Sequence, residues 1–286
     1  MRLMEKLSEM MGQMPTPEPC VEKSDGDYLD EKGILICGKC GMPKQKKYPR
    51  PDIAGGGFGL ASVPCECMKR EEEERIAQIR VMQRNAILDA RRDACFHTSG
   101  FYRNCTFERD DGKTPKTSSI CERYAATFNP SDPYGLLLLG DVGTGKSFMS
   151  SAIANRVIDL GFTAFQTDVR YIVNLMESSF EKRQQNLERI LSYDLLLIED
   201  LGAQRNTSYM MEHVYAIIDG RYKSGKPMVI TTNLDPARFN DSSDESWNRI
   251  FDRILERCYP IEFTGDNRRA GKKADMRKAM RQRLGL

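Results

Sequence analysis

The residues best suited to chemistry form one glycine-rich stretch, Gly140-Asp141-Val142-Gly143-Thr144-Gly145-Lys146-Ser147, followed by Phe148. The three glycines lack a Cβ, so the backbone can adopt positive φ angles and direct successive N–H groups at phosphate oxygens. Lys146 adds a positive charge near the β- and γ-phosphates, and the Ser147 hydroxyl is suited to bind Mg²⁺. The spacing G-x-x-x-x-G-K-S is that of the phosphate-binding loop called Walker A. The stretch therefore predicts a nucleoside triphosphate site.

Two predicted elements hold this loop between them. The four residues before Gly140 are all leucine, and such a short, wholly apolar run is typical of a buried parallel strand. After the loop, residues 148–160 carry apolar side chains at helical spacing, and Gly161 ends the pattern. The helix would face the phosphates with the positive end of its dipole. The order strand, loop and helix is the one that a phosphate-binding loop requires.

A second apolar strand, residues 195–198, ends in two acids, Glu199 and Asp200. The C-terminal ends of parallel strands deliver side chains to a ligand crevice, so these acids are expected to lie near Ser147. We assign Glu199, with Ser147, to Mg²⁺ and Asp200 to the attacking water. The two carboxylates would thus divide metal binding and water activation between them.

Asn233 follows a third apolar strand at residues 227–231. Its amide would then lie at the same edge of the sheet, where it can hydrogen-bond the γ-phosphate or the attacking water. The alternative for such an asparagine is an ordinary turn residue.

Arginines provide two further candidates. Within the predicted helix 247–257 they recur four residues apart, at Arg249, Arg253 and Arg257. Such a stripe is usually an exposed face with salt bridges, but in an oligomeric ATPase one arginine can reach the neighbouring subunit's γ-phosphate. Further along the chain, either Arg268 or Arg269 is expected to contact the nucleotide from its own subunit.

Nine cysteines include two close pairs that suit a metal. The pairs Cys37/Cys40 and Cys65/Cys67 predict a tetrahedral zinc site, with Cys20 as an alternative ligand and four unrelated thiols as the competing interpretation. Zinc would supply folding energy to a stretch too rich in glycine and proline to build its own core. The other cysteines lack metal-binding spacing and are interpreted as buried thiols: Cys95, Cys105, Cys121 and Cys258.

Composition limits the class of protein. The 286 residues carry a net charge of +2, and the 40% hydrophobic content is enough for a core. No apolar run approaches the roughly 20 residues of a membrane span, and no signal-peptide pattern opens the chain, so a cytoplasmic protein without disulfides is expected. Basic residues concentrate at 39–50 and 268–283. Residues 44–50 also contain Tyr48, which favours either nucleic-acid binding or a solvated loop.

The chain divides into four predicted segments. An amphipathic methionine-rich helix at 1–14, suited to bind a partner or its own neighbouring domain, and a proline linker make up residues 1–30. A zinc-binding module covers 31–70, and a charged linker helix covers 71–95. An α/β ATPase domain, a parallel sheet flanked by helices, covers 96–286.

Taken together, these motifs resemble DnaC/DnaI-type replicative helicase loaders, AAA+ ATPases grouped with the IstB-type transposition ATPases. The resemblance covers residues 101–269 and is carried by the segments 104–107, 140–147, 194–202, 218–222, 231–233 and 252–258. The paired cysteines resemble the N-terminal zinc module of the loader branch. The resemblance implies an AAA+ P-loop core that uses ATP, Mg²⁺ and Zn²⁺.

The resemblance also implies partners and residue roles. It implies a homo-oligomeric ring or spiral with ATP at its interfaces, a hexameric DnaB-type replicative helicase as partner, and single-stranded DNA contacted near residues 170–183. Asn233 resembles the first sensor, Arg253 the arginine finger and Arg269 the second sensor. Glu199 departs from the family, in which aspartate is usual; the extra methylene displaces the carboxylate by roughly 1.5 Å.

The functional hypothesis is ATP-dependent loading of a replicative helicase onto single-stranded DNA. ATP is preferred to GTP because the chain has no N-K-x-D guanine motif. Two alternatives stay open from the sequence: an IstB-type transposition helper, and a nucleotide-switch adaptor that hydrolyses ATP too slowly for turnover to matter.

Overall fold

The computed structural model describes residues 23–51, 56–97, 99–177, 179–202, 208–235, 239 and 245–285, without the side chains of 208, 245, 246, 269–272, 274 and 275. The predicted helix at 1–14 and Cys20 lie outside the described residues. The described strands and helices are, in chain order, β1 (Tyr28–Leu29), β2 (Leu35–Ile36), β3 (Gln45–Pro49), β4 (Phe58–Ser62), α1 (Glu66–Cys95), two short 3-10 helices (Tyr102–Asn104 and Phe107–Arg109), α2 (Pro115–Ala126), β5 (Gly135–Leu139), α3 (Lys146–Asp159), β6 (Ala164–Asp168), α4 (Val169–Met176), α5 (Phe180–Ser192), β7 (Leu195–Glu199), α6 (Ser208–Ser224), β8 (Met228–Thr232), α7 (Glu245–Arg257), β9 (Cys258–Glu262) and α8 (Arg268–Leu284).

The chain forms two compact units that divide between Arg84 and Asn85, within helix α1. The last part of α1 belongs to the second unit because its side chains pack there. Cys95 is fully buried, Arg91 donates to the Gly161 carbonyl, and Arg92 pairs with Asp159. The division therefore falls eleven residues before the predicted end of the linker helix.

The described part of the first unit contains two antiparallel pairs, β1 with β2 and β3 with β4, followed by the first part of α1. Its interior is small and holds a buried ion pair between Asp27 and Lys44. The Asp27 carboxylate also accepts hydrogen bonds from the backbone N–H groups of Ser24 and Gly38. The hydrogen bond from Lys44 is the largest cause that lowers the pKa of Asp27 to about 2.

The second unit contains a five-stranded parallel sheet in the order β6-β7-β8-β5-β9. Helices cover both faces. Leu137 and Leu139 of β5 enter one core with α4, α5, α6 and α7, whereas Leu136 and Leu138 enter the other with α2 and α3. Because successive strand residues point to opposite faces, a strand covered on both sides must be apolar throughout. This explains the four consecutive leucines.

The four cysteines without metal-binding spacing are buried in the second unit, as expected: Cys95, Cys105, Cys121 and Cys258. Burial raises the pKa of the Cys121 and Cys258 thiols to about 12, so both remain protonated near neutral pH.

The C-terminal basic segment forms α8, and its described side chains from Met276 to Leu284 are exposed. None of the described helices is both long and apolar enough to span a bilayer.

Candidate functional site: a phosphate-binding cleft and a four-cysteine centre

The Walker A loop lies where β5 ends and α3 begins. The φ angles of Gly140, Gly143 and Gly145 are 135°, 88° and 107°, in the region that favours glycine. A Cβ at Gly140 would lie 2.2 Å from the Phe263 carbonyl oxygen, so glycine is also needed for space. The loop therefore curves around an open centre at the N-terminus of α3, as an anion-binding loop must.

Lys146 is buried and folds back onto the loop that precedes it. Its ammonium donates to the carbonyl oxygens of Gly140 at 2.7 Å and Asp141 at 2.8 Å. The Thr144 hydroxyl donates to the same Asp141 carbonyl at 2.9 Å, which closes the turn. The lysine charge is thus held inside the loop, within reach of a phosphate bound there.

The loop opens into a cleft of about 370 Å³, a volume suited to a small-molecule ligand. Asp200 and Asn233 line it from the ends of β7 and β8, and Lys146 and Ser147 line it from α3. The structure therefore brings these four predicted site residues together with four more from the predicted loop: Val142, Gly143, Gly145 and Phe148. The rest of the wall is formed by Phe101, Tyr102, Arg109, Asp110, Asp111 and Arg268.

The two adjacent acids occupy different environments. Asp200 is exposed and has φ of 51°, a left-handed conformation that aspartate tolerates better than most residues. Its backbone N–H donates to the Thr231 hydroxyl at 2.8 Å, and that hydroxyl donates to Glu199 Oε2 at 3.1 Å. Thr231 therefore fixes the turn that exposes one acid to the cleft and buries the other.

The Glu199 carboxylate suits a bound cation. Burial raises the pKa of Glu199, and the hydroxyls of Ser150, Ser147 and Thr231 partly offset this by favouring the ionised form. Oε1 is buried, and among the described residues it has no hydrogen bond of ordinary geometry. A divalent cation bound with Ser147 would satisfy this oxygen and balance its buried charge. The residues present therefore fit Mg²⁺.

The Asn233 side chain has a similar feature. Its Oδ1 is buried and has no hydrogen bond within the described part of the chain. A buried amide oxygen costs free energy unless it is paired, and a water or ligand hydroxyl in the cleft would pair it. This favours a role beyond that of a turn residue.

Arg268 is a cleft residue that the sequence did not single out over its neighbour. Its backbone N–H donates to the Gly143 carbonyl at 3.0 Å. Its guanidinium bonds the Thr114 hydroxyl at 2.7 Å and pairs with Asp111 at 2.9 Å. The Arg269 side chain is outside the described residues. The structure thus places Arg268 in the wall of the cleft.

Arg253 is held by contacts within its own chain. Its Nε donates to Asp219 at 2.7 Å, and its guanidinium lies 4.9 Å from the centre of the Tyr215 ring. Arg257 lies over the Tyr222 ring at 4.6 Å. Arg253 and Arg257 thus pack on helix α6, and Arg253 does not line the cleft of its own chain. Its assignment as a finger stays a prediction.

The predicted DNA segment, residues 170–183, spans α4 and the start of α5. The Tyr171 ring packs against His97, with ring centres 4.1 Å apart, and the Arg183 guanidinium donates to the Met176 carbonyl at 2.9 Å. Phe180, by contrast, is 81% exposed. Some side chains of this segment are therefore engaged within the protein, whereas Phe180 is exposed to solvent.

The four predicted zinc ligands converge in the first unit. One sulfur each from Cys37, Cys40, Cys65 and Cys67 lies within 4.8 Å of all the others. Zn–S bonds of about 2.3 Å place tetrahedral sulfurs roughly 3.8 Å apart, so a small contraction completes the site. Hydrogen bonds from the backbone N–H groups of Met42 and Cys67 lower the pKa of Cys40 to about 6 and favour its thiolate. The cluster fits a structural zinc ion.

Comparison with known proteins places these features in context. The family model described as IstB-like ATP binding protein matches residues 125–276. The replicative helicase loader DnaI of Bacillus subtilis is 26% identical over 147 residues, 47% of this chain and 47% of DnaI. The replicative helicase loader DnaC of Buchnera aphidicola subsp. Schizaphis graminum is 27% identical over 196 residues, 64% of this chain and 77% of DnaC.

A crystal structure of DnaI is similar to this chain with a TM-score of 0.52 and 25% identity, over 62% of this chain and 98% of the solved one. The curated match thus spans about half of DnaI, although the solved structure is covered almost completely. These similarities confirm the predicted resemblance and the predicted α/β ATPase fold.

Proposed function

The chain belongs to the IstB-like ATP binding protein family, and from this we propose that it is an ATP-dependent loader of a hexameric replicative helicase onto single-stranded DNA. The names of the helicase-loader relatives support a role in helicase loading rather than a role in transposition. The observation that carries the ATP-dependent part is the convergence of Lys146, Ser147, Asp200 and Asn233 on one cleft at the Walker A loop.

The proposed reaction is hydrolysis of ATP by in-line attack of water on the γ-phosphorus. Lys146 exchanges its two loop carbonyls for phosphate oxygens and compensates their charge. Asn233 orients the water, and Asp200 accepts its proton. The bond from the γ-phosphorus to the bridging oxygen breaks, giving ADP and phosphate. Bound Mg²⁺, held by Ser147 and Glu199, would neutralise charge on the leaving phosphates.

Subunit assembly would complete the site. A guanidinium from a neighbouring subunit can stabilise charge on the γ-phosphate, and Arg253 is our candidate. The Asp219 pair and the Tyr215 ring would fix the direction of this side chain before assembly. ATP would thereby favour the ring or spiral, and hydrolysis would release it.

Asp200→Asn is expected to lower the hydrolysis rate by about a hundredfold, since a general base contributes at least this factor. ATP affinity should stay within about twofold of wild type, because the exposed carboxylate does not hold the phosphates. Rates come from single-turnover assays and affinities from a fluorescent ATP analogue. Glu262→Gln, at the same sheet edge but outside the cleft, is the control. Undiminished hydrolysis in Asp200→Asn would remove Asp200 from the mechanism.

The proposed function is tested by co-purification with hexameric replicative helicases, followed by a loading assay on circular single-stranded DNA. We expect ATP-dependent transfer of the helicase, with loss of transfer in Asp200→Asn. Capture of a transposase instead of a helicase would favour the transposition alternative. Helicase binding with wild-type loading by Asp200→Asn would favour the nucleotide-switch adaptor.

A further inference from the structure

The hairpin formed by β3 and β4 carries a surface that the proposed function does not use. We infer that its Lys46-Tyr48-Arg50 face binds single-stranded DNA by stacking a base on Tyr48 and pairing the flanking phosphates with Lys46 and Arg50. This face belongs to the first compact unit, whereas the ATP cleft belongs to the second. The inference is independent of the proposed helicase loading.

The register of the hairpin defines the face. Lys46 pairs with Ala61 and Tyr48 pairs with Gly59, and the Arg50 N–H donates to the Gly57 carbonyl at 2.9 Å. Directly paired residues and residues two apart on a strand share one side of a sheet. One face thus carries lysine, tyrosine and arginine on β3, opposite only glycine and alanine on β4. On this face the small residues leave a flat surface, and the three large side chains of Lys46, Tyr48 and Arg50 project beside it.

The Tyr48 ring is supported from below by this flat surface. A Cβ at position 59 would lie 2.6 Å from Tyr48 Cζ, so the ring extends across the partner strand directly over Gly59. Gly59 is buried, while Tyr48 remains 43% exposed. An aromatic ring held in one orientation with an exposed face is what base stacking requires, and it loses little side-chain entropy on binding.

The described charged side chains of the hairpin are all positive. Lys46 and Arg50 are exposed and lie two residues on either side of Tyr48, about 6.6 Å away along the strand. The described parts of the hairpin, residues 45–51 and 56–62, contain no acidic residue. Phosphates on both sides of a stacked base therefore come within reach of cations.

Lys44 takes no part in this face, although it begins the same basic run in the sequence. It is buried and paired with Asp27, and its Nζ also donates to the Ser24 hydroxyl at 3.1 Å. The pair anchors the start of β3 in the module. A buried lysine must keep its charge compensated and cannot turn to a ligand, so the exposed part of the predicted basic run 44–50 excludes Lys44.

The chemistry favours single strands over duplex DNA. The bases of a duplex are already stacked and paired, so duplex DNA would contact only Lys46 and Arg50, through its phosphates. A single strand can also stack a base on the Tyr48 ring. The opposite face of the hairpin provides matched controls. There, Lys47 is exposed and Phe58 is 75% exposed, yet neither flanks Tyr48 on its face.

The test uses the full chain with fluorescein-labelled oligo-dT, without nucleotide, at several salt concentrations. Tyr48→Ala should weaken binding between about fivefold and a hundredfold, the range measured for one stacked base. Lys46→Ala/Arg50→Ala should weaken it and flatten the salt dependence. Phe58→Ala and Lys47→Ala should bind as wild type. Duplex and oligo-U probes form separate arms, with duplex expected to bind more weakly.

Zinc content is measured on every variant, so that loss of the fold is not mistaken for loss of contact. Equal weakening by the variants of the two faces, or preference for the duplex, would overturn the inference. So would wild-type affinity in Tyr48→Ala. Stronger binding of oligo-U would transfer the site to RNA and contradict the DNA assignment. None of these results bears on helicase co-purification, so the two proposals fail separately.

Discussion

Lys146→Ala is expected to lower the rate of ATP hydrolysis by about a thousandfold, the upper range for loss of one preorganised donor to transition-state charge. The lysine lies in the loop with its ammonium 2.7 Å and 2.8 Å from two carbonyl oxygens, so its charge is already held at the loop before ATP binds and has only to exchange these partners for phosphate oxygens. Alanine leaves the backbone donors in place but removes this charge from a buried position, where water replaces it poorly.

The same substitution should weaken ATP binding at least about tenfold, because hydrogen bonds to charged groups contribute roughly 1.5–3 kcal/mol. Binding and single-turnover hydrolysis are measured on the same preparation. Lys116→Ala, an exposed lysine of α2, is the matched control and should behave as wild type. Hydrolysis within tenfold of wild type in Lys146→Ala would show that the cleft is not the catalytic site.

Removal of zinc is expected to unfold the part of the first unit that precedes α1, from residue 23 to about residue 65. Structural zinc contributes on the order of 10 kcal/mol of binding free energy near neutral pH, which is comparable to the net stability of a whole domain. The unit has little other means of support. Its described strands are short, and within the described part of this unit only three apolar side chains are buried, those of Leu35, Cys37 and Cys65.

The purified wild-type protein is expected to contain one equivalent of zinc. Cys37→Ser should abolish it and expose residues 23–65 to rapid amide hydrogen exchange. The second unit should keep its protection and its ATP binding, because its sheet and both cores lie beyond residue 84. Cys20→Ser is the control that retains zinc, since the four clustered thiols already complete a tetrahedral set. Zinc lost from Cys20→Ser, or absent from the wild type, would contradict the assigned ligands.

Both centres could be located from the sequence because their determinants are local. Glycine at three positions of an eight-residue loop fixes which backbone angles are accessible, and the structure has positive φ at all three. Four leucines in succession predict a strand covered on both faces, and the two cores take alternate leucines. Two close cysteine pairs likewise limit the geometry of a metal site before the chain is folded.

The walls of the cleft were decided by tertiary structure. Arg268 reaches Thr114 across 154 residues of sequence, and nothing in either local pattern indicates that contact. Glu199 and Asp200 are adjacent and chemically alike, yet the Thr231 hydroxyl and a left-handed turn bury one and expose the other. Separate environments for like residues arise only when distant strands pack.

The basic run at 44–50 also shows which properties follow from the sequence and which depend on the tertiary structure. Its composition and its tyrosine indicate a charged surface with an aromatic, and that much follows from the sequence. Strand pairing decided that Lys44 is buried against Asp27 and that the Tyr48 ring lies over Gly59. Side-chain direction on a strand alternates with a period of two, so register assigns each residue to a face. Local sequence therefore determined which chemical groups are present, and the packing of remote segments determined which of them meet, because burial and contact depend on the whole chain.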